Sequence, residues 1–207
     1  MTKYTVRYIL SSMTKAERTR LQIISTASEL FNWKGFQATS ISDIESAAGL
    51  SKGALYANFK TKNDLMVEAF QFSVRLMLDD IMERVNAAQG AGEKLAAFLG
   101  YFSENYKKIF SRGGCPIANT AVEADDTDAV LRKKVSGVIL SVRDMLVTII
   151  RRGVETREFR NDIRPEQVAD QLFSLVEGGA LLAKATGKSD FLINAVQNAT
   201  EVINTCR

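Results

Sequence analysis

Apolar residues in this chain recur at steps of three and four, and no stretch alternates long enough to read as a strand. Met66, Phe70, Val74, Met77, Ile81 and Val85 form one such series. Leu131, Val135, Val138, Val142, Met145 and Ile149 form another. A period near 3.6 gathers these side chains into helical stripes that must be buried. Two prolines in 207 residues, Pro116 and Pro165, leave little to interrupt helices. The chain is therefore read as all-α. The helix starts agree: Thr14/Glu17, Ser40/Asp43 and Thr61/Asp64 each set a hydroxyl three positions before an acid. The hydroxyl accepts from an orphan N–H, and the acid meets the positive end of the helix.

A first helix is expected over about 15–34, with Leu21, Ile24, Ala27 and Phe31 inward and Gly35 closing it. A short helix carries Ile41, Ile44 and Ala48 and breaks at Gly49. Ser51 caps another that ends near Phe59, and a long helix follows Thr61. Leu65, Phe72 and Leu76 give this long helix a second apolar side. Further helices are expected over about 93–110, after the Gly113-Gly114-Cys115-Pro116 break, from the acidic turn at 125–128 to Gly153, and over about 165–185 and 189–205.

The chain contains no histidine, which removes the commonest general base and metal ligand. Cys115 and Cys206 form no CxxC pattern. No catalytic residue, metal site or cofactor is expected, and an enzyme is disfavoured. The apolar stretch 4–10 is interrupted by Arg7 and is too short for a signal peptide; no other stretch approaches a membrane span. A reduced, cytoplasmic setting is the simple expectation. Charge is uneven: residues 1–62 hold nine Lys/Arg against four Asp/Glu, and the remainder holds eighteen against twenty. A basic head on a slightly acidic body suits a polyanion partner.

The head explains that charge. Residues 31–65 read as helix, turn at Gly49, helix, then a charged step into a further helix. The second short helix presents Lys52, Gly53, Ala54, Ala57 and Asn58, small and polar enough to lie in a major groove. Lys52 and Asn58 can donate to base edges. Thr39 and Ser40 at a helix N-terminus, Tyr56, Lys60 and Lys62 are candidate phosphate contacts, with Lys15, Arg18 and Arg20 adding to a basic rim. Over residues 15–65 the segment closely resembles the DNA-binding head of the TetR family of transcriptional regulators. The matching residues are Ala27, Leu30, Phe31, Gly35, Phe36, Thr39, Ile44, Ala47, Gly49, Ser51, Lys52, Gly53, Leu55, Tyr56, Phe59, Lys62 and Leu65. Ala57 departs from the pattern, since many members carry His or another large side chain there.

The resemblance implies a nine-helix homodimer with a helix-turn-helix domain over 14–60 and a regulatory and dimerisation domain over 61–207, preceded by a flexible extension over 1–13. Met13 stands directly before the first cap, so residues 1–12 read either as a mis-assigned extension or as an arm whose Lys3 and Arg7 enter a minor groove. The implied partners are operator DNA, a second copy of the chain and a small-molecule effector. Phe98, Phe102, Cys115, Val142, Phe173 and Lys184 are candidates to line the effector pocket. Leu172, Leu175, Gly179, Leu192, Ala195 and Ala199 are candidates for the dimer interface. The stretch 114–117 and Lys184 also resemble the electrophile- and oxidant-sensing NemR-like branch. Two readings of Cys115 follow: a sensor, its pKa lowered by Lys184 and a helix N-terminus, or a small apolar filler after the Gly-Gly turn, with Lys184 a snorkelling surface residue. Two other readings remain open at this point: a helical interaction protein without DNA recognition, and an enzymatic body.

Overall fold

The computed structural model describes residues 13–124 and 128–207. Ten helices lie among them, and no strand. The chain divides into two compact units at Ser73/Val74. The first holds α1 (Lys15–Lys34), α2 (Ile41–Ala48), α3 (Lys52–Asn58) and the opening of α4 (Lys62–Ala87). The second holds the rest of α4, then α5 (Ala91–Glu104), α6 (Tyr106–Ser111), α7 (Pro116–Ala124), α8 (Ala129–Glu155), α9 (Pro165–Thr186) and α10 (Asp190–Thr205).

In the head, each short helix is held by its ends. Thr14 and Ser40 form full capping boxes with Glu17 and Asp43, and the Ser51 hydroxyl accepts from the Ala54 N–H at 3.3 Å. Thr61 and Asp64 exchange hydrogen bonds at the start of α4. Gly49 ends α2 at φ +63°, in the left-handed region where a side chain is strained. A Cβ there would meet nothing, so conformation alone selects glycine. The head core is Ile23, Ala27, Phe31, Phe36, Ile44, Leu55, Phe59 and Leu65. Leu21 and Ile24 are only half-buried, because the α1 stripe runs through Ile23, Ala27 and Phe31, with the small Ser28 beside it.

In the body, α9 packs on α10 so closely that a Cβ on Gly179 would lie 2.5 Å from the Ala195 Cβ. Two elements depart from the sequence expectation. The helix over 93–110 is broken at Asn105 into α5 and α6, where the Asn105 amide bonds back to the Tyr101 carbonyl at 2.9 Å. Gly153 does not end α8. It lies inside the helix, where a Cβ would collide with the Phe159 ring at 2.3 Å and the Ala91 Cβ at 2.8 Å. Glu158 then accepts from the Ala91 and Gly92 N–H groups at 2.6 and 2.7 Å, placing a carboxylate on the orphan donors of α5. The Arg143 guanidinium holds Asp170 with two hydrogen bonds, joining α8 to α9. Residues 1–12 and the turn at 125–127 lie outside the described residues, and with them the Lys3/Arg7 arm.

Candidate nucleic-acid interface

Helix α3 is held from one side and bare on the other. Leu55 and Phe59 are buried beneath it, while Lys52, Gly53, Tyr56, Ala57 and Lys60 are exposed. Gly53 is informative. A Cβ there would meet only the Ser51 hydroxyl, at 3.9 Å, and its φ is not positive. Neither packing nor backbone conformation asks for glycine, and glycine in a helix costs about 0.5–1 kcal/mol relative to alanine. A bare backbone at an exposed first turn leaves room for close approach from outside the chain. Flanked by Lys52 and Lys60, with the Tyr56 hydroxyl on the same exposed side, the surface suits a duplex.

A clamp that residue spacing does not reveal sets the pose of this helix. The Arg20 guanidinium donates to the Asn58 carbonyl at 2.6 Å, pairs with Glu68, and stacks 4.2 Å above the Phe59 ring. One side chain thus ties α1 to the C-terminal end of α3 and to α4. Arg20 was expected in the basic rim; it is instead engaged inside the head, because its planar fork satisfies three partners at once. Lys15 and Arg18 are exposed.

Three expected contacts change in the same way. Thr39 is fully buried, its hydroxyl donating to the Gly35 carbonyl at 2.7 Å. It secures the turn before α2 and does not face a phosphate. The Asn58 amide turns back onto the Ala54 carbonyl at 2.8 Å, half-buried, so it is not aimed at a base edge. The Lys62 ammonium donates to the Phe36 carbonyl, joining α4 to the turn before α2 while keeping two N–H donors. Ser40 is exposed, but its hydroxyl is engaged with Asp43. The Ser40 hydroxyl and N–H, then Lys34, hold the Asp43 carboxyl down at about 2.

In the body, Phe98, Phe102, Cys115 and Val142 are buried, Phe173 is half-buried and Lys184 is exposed. The rings of Phe98 and Phe102 meet edge-on, 5.5 Å apart. Cys115 and Lys184 lie near enough for the thiol's charge to act on the ammonium, but they share no hydrogen bond. The Cys115 thiol donates to Glu177 Oε1 at 3.2 Å, and the Lys184 ammonium donates to Asn119 Oδ1 at 2.9 Å. Burial, then the Glu177 charge, push the thiol well above its ordinary range; the N–H groups of Ile117 and Ala118 pull the other way and lose. The low-pKa sensor reading is corrected accordingly, since desolvation of a thiolate outweighs one helix end. Glu177 itself, absent from the sequence candidates, has a second carboxyl oxygen sealed from solvent with no hydrogen-bond partner among the described residues. An unmet buried acceptor costs about 1–3 kcal/mol.

The dimer candidates are corrected too. Leu172, Gly179, Leu192, Ala195 and Ala199 are buried within one chain, where α9 meets α10. Leu175 is half-buried. The apolar residues left outward on these helices are Leu181, Leu182 and Phe191.

Two family models match the chain: the bacterial regulatory proteins of the tetR family over residues 23–69, and the tetracyclin repressor-like C-terminal domain over residues 91–199. The second covers more than half of the chain. The chain belongs to the TetR family. A TetR-family transcriptional regulator from Cytophaga hutchinsonii shares 33% identity, covers 95% of this chain and 98% of its own, and superposes with a TM-score of 0.88. A TetR transcriptional regulator from Chloroflexus aurantiacus shares 31% identity over 93% and 97%, with a TM-score of 0.86. The transcriptional repressor DhaR of a Mycobacterium species is 24% identical over 80% of this chain and 82% of its own length. TetR-family proteins are non-enzymatic regulators that bind operator DNA, dimerise and bind small-molecule effectors. No described helix is long and apolar enough to cross a membrane.

Proposed function

We propose that this TetR-family regulator is a repressor that works in the cytoplasm. It holds its operator through α3 and is released when an effector occupies the body. The observation that carries the DNA contact is the exposed Lys52–Gly53 start of α3, where space is left that no described group of the head fills. Lys52, with Gly53, Ala54 and Ala57 allowing close approach, reads base edges. Tyr56, Lys60, Lys62 and the α2 N-terminus at Ser40 meet phosphates, and Lys15 and Arg18 add charge at the rim. Arg20 is the positioning residue that fixes α3.

Dimerisation uses the outward side of the last two helices. Leu175, Gly178 and Leu182 step by three and four along α9, Leu181 lies beside them and Phe191 adds from α10. Gly178 has no neighbour within contact distance of a built Cβ, so a partner helix has room to approach. A two-fold pair sets its two α3 helices one DNA turn apart, roughly 34–36 Å. An effector that favours a dimer state with a different spacing lowers operator affinity by that differential binding alone.

The test is a gel shift and footprint on the DNA upstream of the gene, with random-site selection as a second route. A footprint of two half-sites about one turn apart is expected. Binding to neither DNA, or binding that Lys52→Ala and Tyr56→Phe leave untouched, would remove the reading.

A further inference from the structure

Glu177 is the one acid on a face of α9 otherwise given to core packing, beside Val176, Ala180 and Ala183. Among the described residues its carboxyl is reached by a single donor. Cys115, just before α7, gives its S–H to Oε1, while the N–H groups of Ile117 and Ala118 hold the sulfur in place. Oε2 is sealed and unpartnered among the described residues. The nearby cation is engaged elsewhere: the Lys184 stem lies against Gly114, and its ammonium is on Asn119. Aromatic rings stand near the cysteine. Tyr101 is buried, its ring 5.2 Å from that of Phe102, and burial, then the charges of Asp80 and Cys115, push its hydroxyl up to about 12.

Such a cluster selects by chemistry. An anionic guest would meet a carboxyl that burial already resists ionising. An apolar neutral guest would leave Oε2 unmet. A guest bringing N–H donors on an apolar frame satisfies the oxygen and gains from aromatic surroundings. We propose that Glu177 anchors the effector of this regulator through Oε2, and that the effector is a lipophilic amine or similar nitrogen cation. The proposal rests on the effector reading given above. Burial brings the Glu177 carboxyl up to about 7. A protonated amine entering the site therefore forms its ion pair as the carboxylic acid gives its proton to the solvent.

The experiment is isothermal calorimetry on the full-length protein with three probes of one shape: 4-phenylbutylamine, 4-phenylbutanol and 4-phenylbutyrate. The amine is expected to bind at least about tenfold tighter than the other two. Glu177→Gln is expected to erase that preference while leaving the affinity for the alcohol within about twofold. Independently of the variant, titrations of the wild type in buffers of different ionisation enthalpy should show roughly one proton released per amine at pH 6 and little at pH 8. Equal affinities for amine and alcohol overturn the proposal, and so do tightest binding of the butyrate, no binding by any probe, or amine binding without proton release. Operator release is then read in the same series. Amine binding that follows the expected pattern without loss of operator affinity supports the anchor and fails the effector reading. Operator release by the butyrate or the alcohol, unchanged in Glu177→Gln, keeps the effector reading and removes the anchor.

Discussion

The head and the body of this regulator keep their informative groups in opposite places. In the head they are on the surface and close in sequence: Ser51, Lys52, Gly53, Tyr56 and Ala57 lie within seven consecutive positions, and the caps that hold their helix join residues three apart. In the body they are distant in sequence, and the most telling of them, Cys115, is buried. Cys115 meets Glu177 across 62 positions, Lys184 meets Asn119 across 65, and Ala91 meets Glu158 across 67. A surface that reads DNA needs a small rigid platform whose polar groups are displayed. A body that senses a molecule needs polar groups withheld from water, where each unmet one is costly enough to be selective.

The contrast can be broken first at the α9–α10 contact. Gly179→Leu puts a side chain where a Cβ alone lies 2.5 Å from Ala195. It is expected to destabilise the body by about 3 kcal/mol and lower its melting temperature by about 6–12 °C, seen by calorimetry. Retained melting would mean that this contact does not hold the body together. A second test uses pH. The folded Glu177 carboxyl is raised to about 7 from 4.5, so the folded protein binds more protons than the unfolded chain between those values. Its contribution is fully present below about pH 4.5 and is lost as pH rises through about 7. Denaturant titrations should show a loss on the order of 2 kcal/mol across that window that Glu177→Gln removes. An unchanged slope in the variant would assign it elsewhere.

The head gives smaller effects. Lys52→Ala should weaken the best operator by about 2 kcal/mol and relax base preference, read by gel shift across single-base variants. A uniform loss over all sequences would make Lys52 a phosphate contact. Ser40→Ala removes the cap of α2 and should cost the fold about 1 kcal/mol in denaturant unfolding. Gly53→Ala should act in opposite senses: stability rises by about 0.5–1 kcal/mol while operator affinity falls. A rise in both would show that the bare backbone at Gly53 has nothing close to it in the complex.

Particular residues mark how far the sequence could be read. The caps at Thr14, Ser40 and Thr61 and the buried series from Met66 to Val85 are found as the spacing predicts, because both depend on a helix's own geometry. Thr39, Asn58 and Arg20 were misassigned because a polar side chain in a basic head looks like a ligand contact until its actual partner is known. Each turns to a carbonyl, two of them nearby in the chain and one 38 positions away. The dimer candidates other than Leu175 are covered within the chain for a related reason. Periodicity identifies the apolar stripe of α9, but not whether a neighbour in the same chain already covers it. Glu177 left no sequence signal at all, since an acid on a helix is ordinarily solvated.

The sequence by itself determined the helices, their caps, the turn at Gly49 and the family of the head, since local hydrogen bonding and residues a few positions apart decide all of these. The tertiary structure alone decided which polar groups face outward, which apolar side of α9 remains free, and that an unsatisfied carboxyl lies beside Cys115. Those are questions of which distant segments exclude water from which atoms, and burial of that kind is written in the packing rather than in any local run of residues.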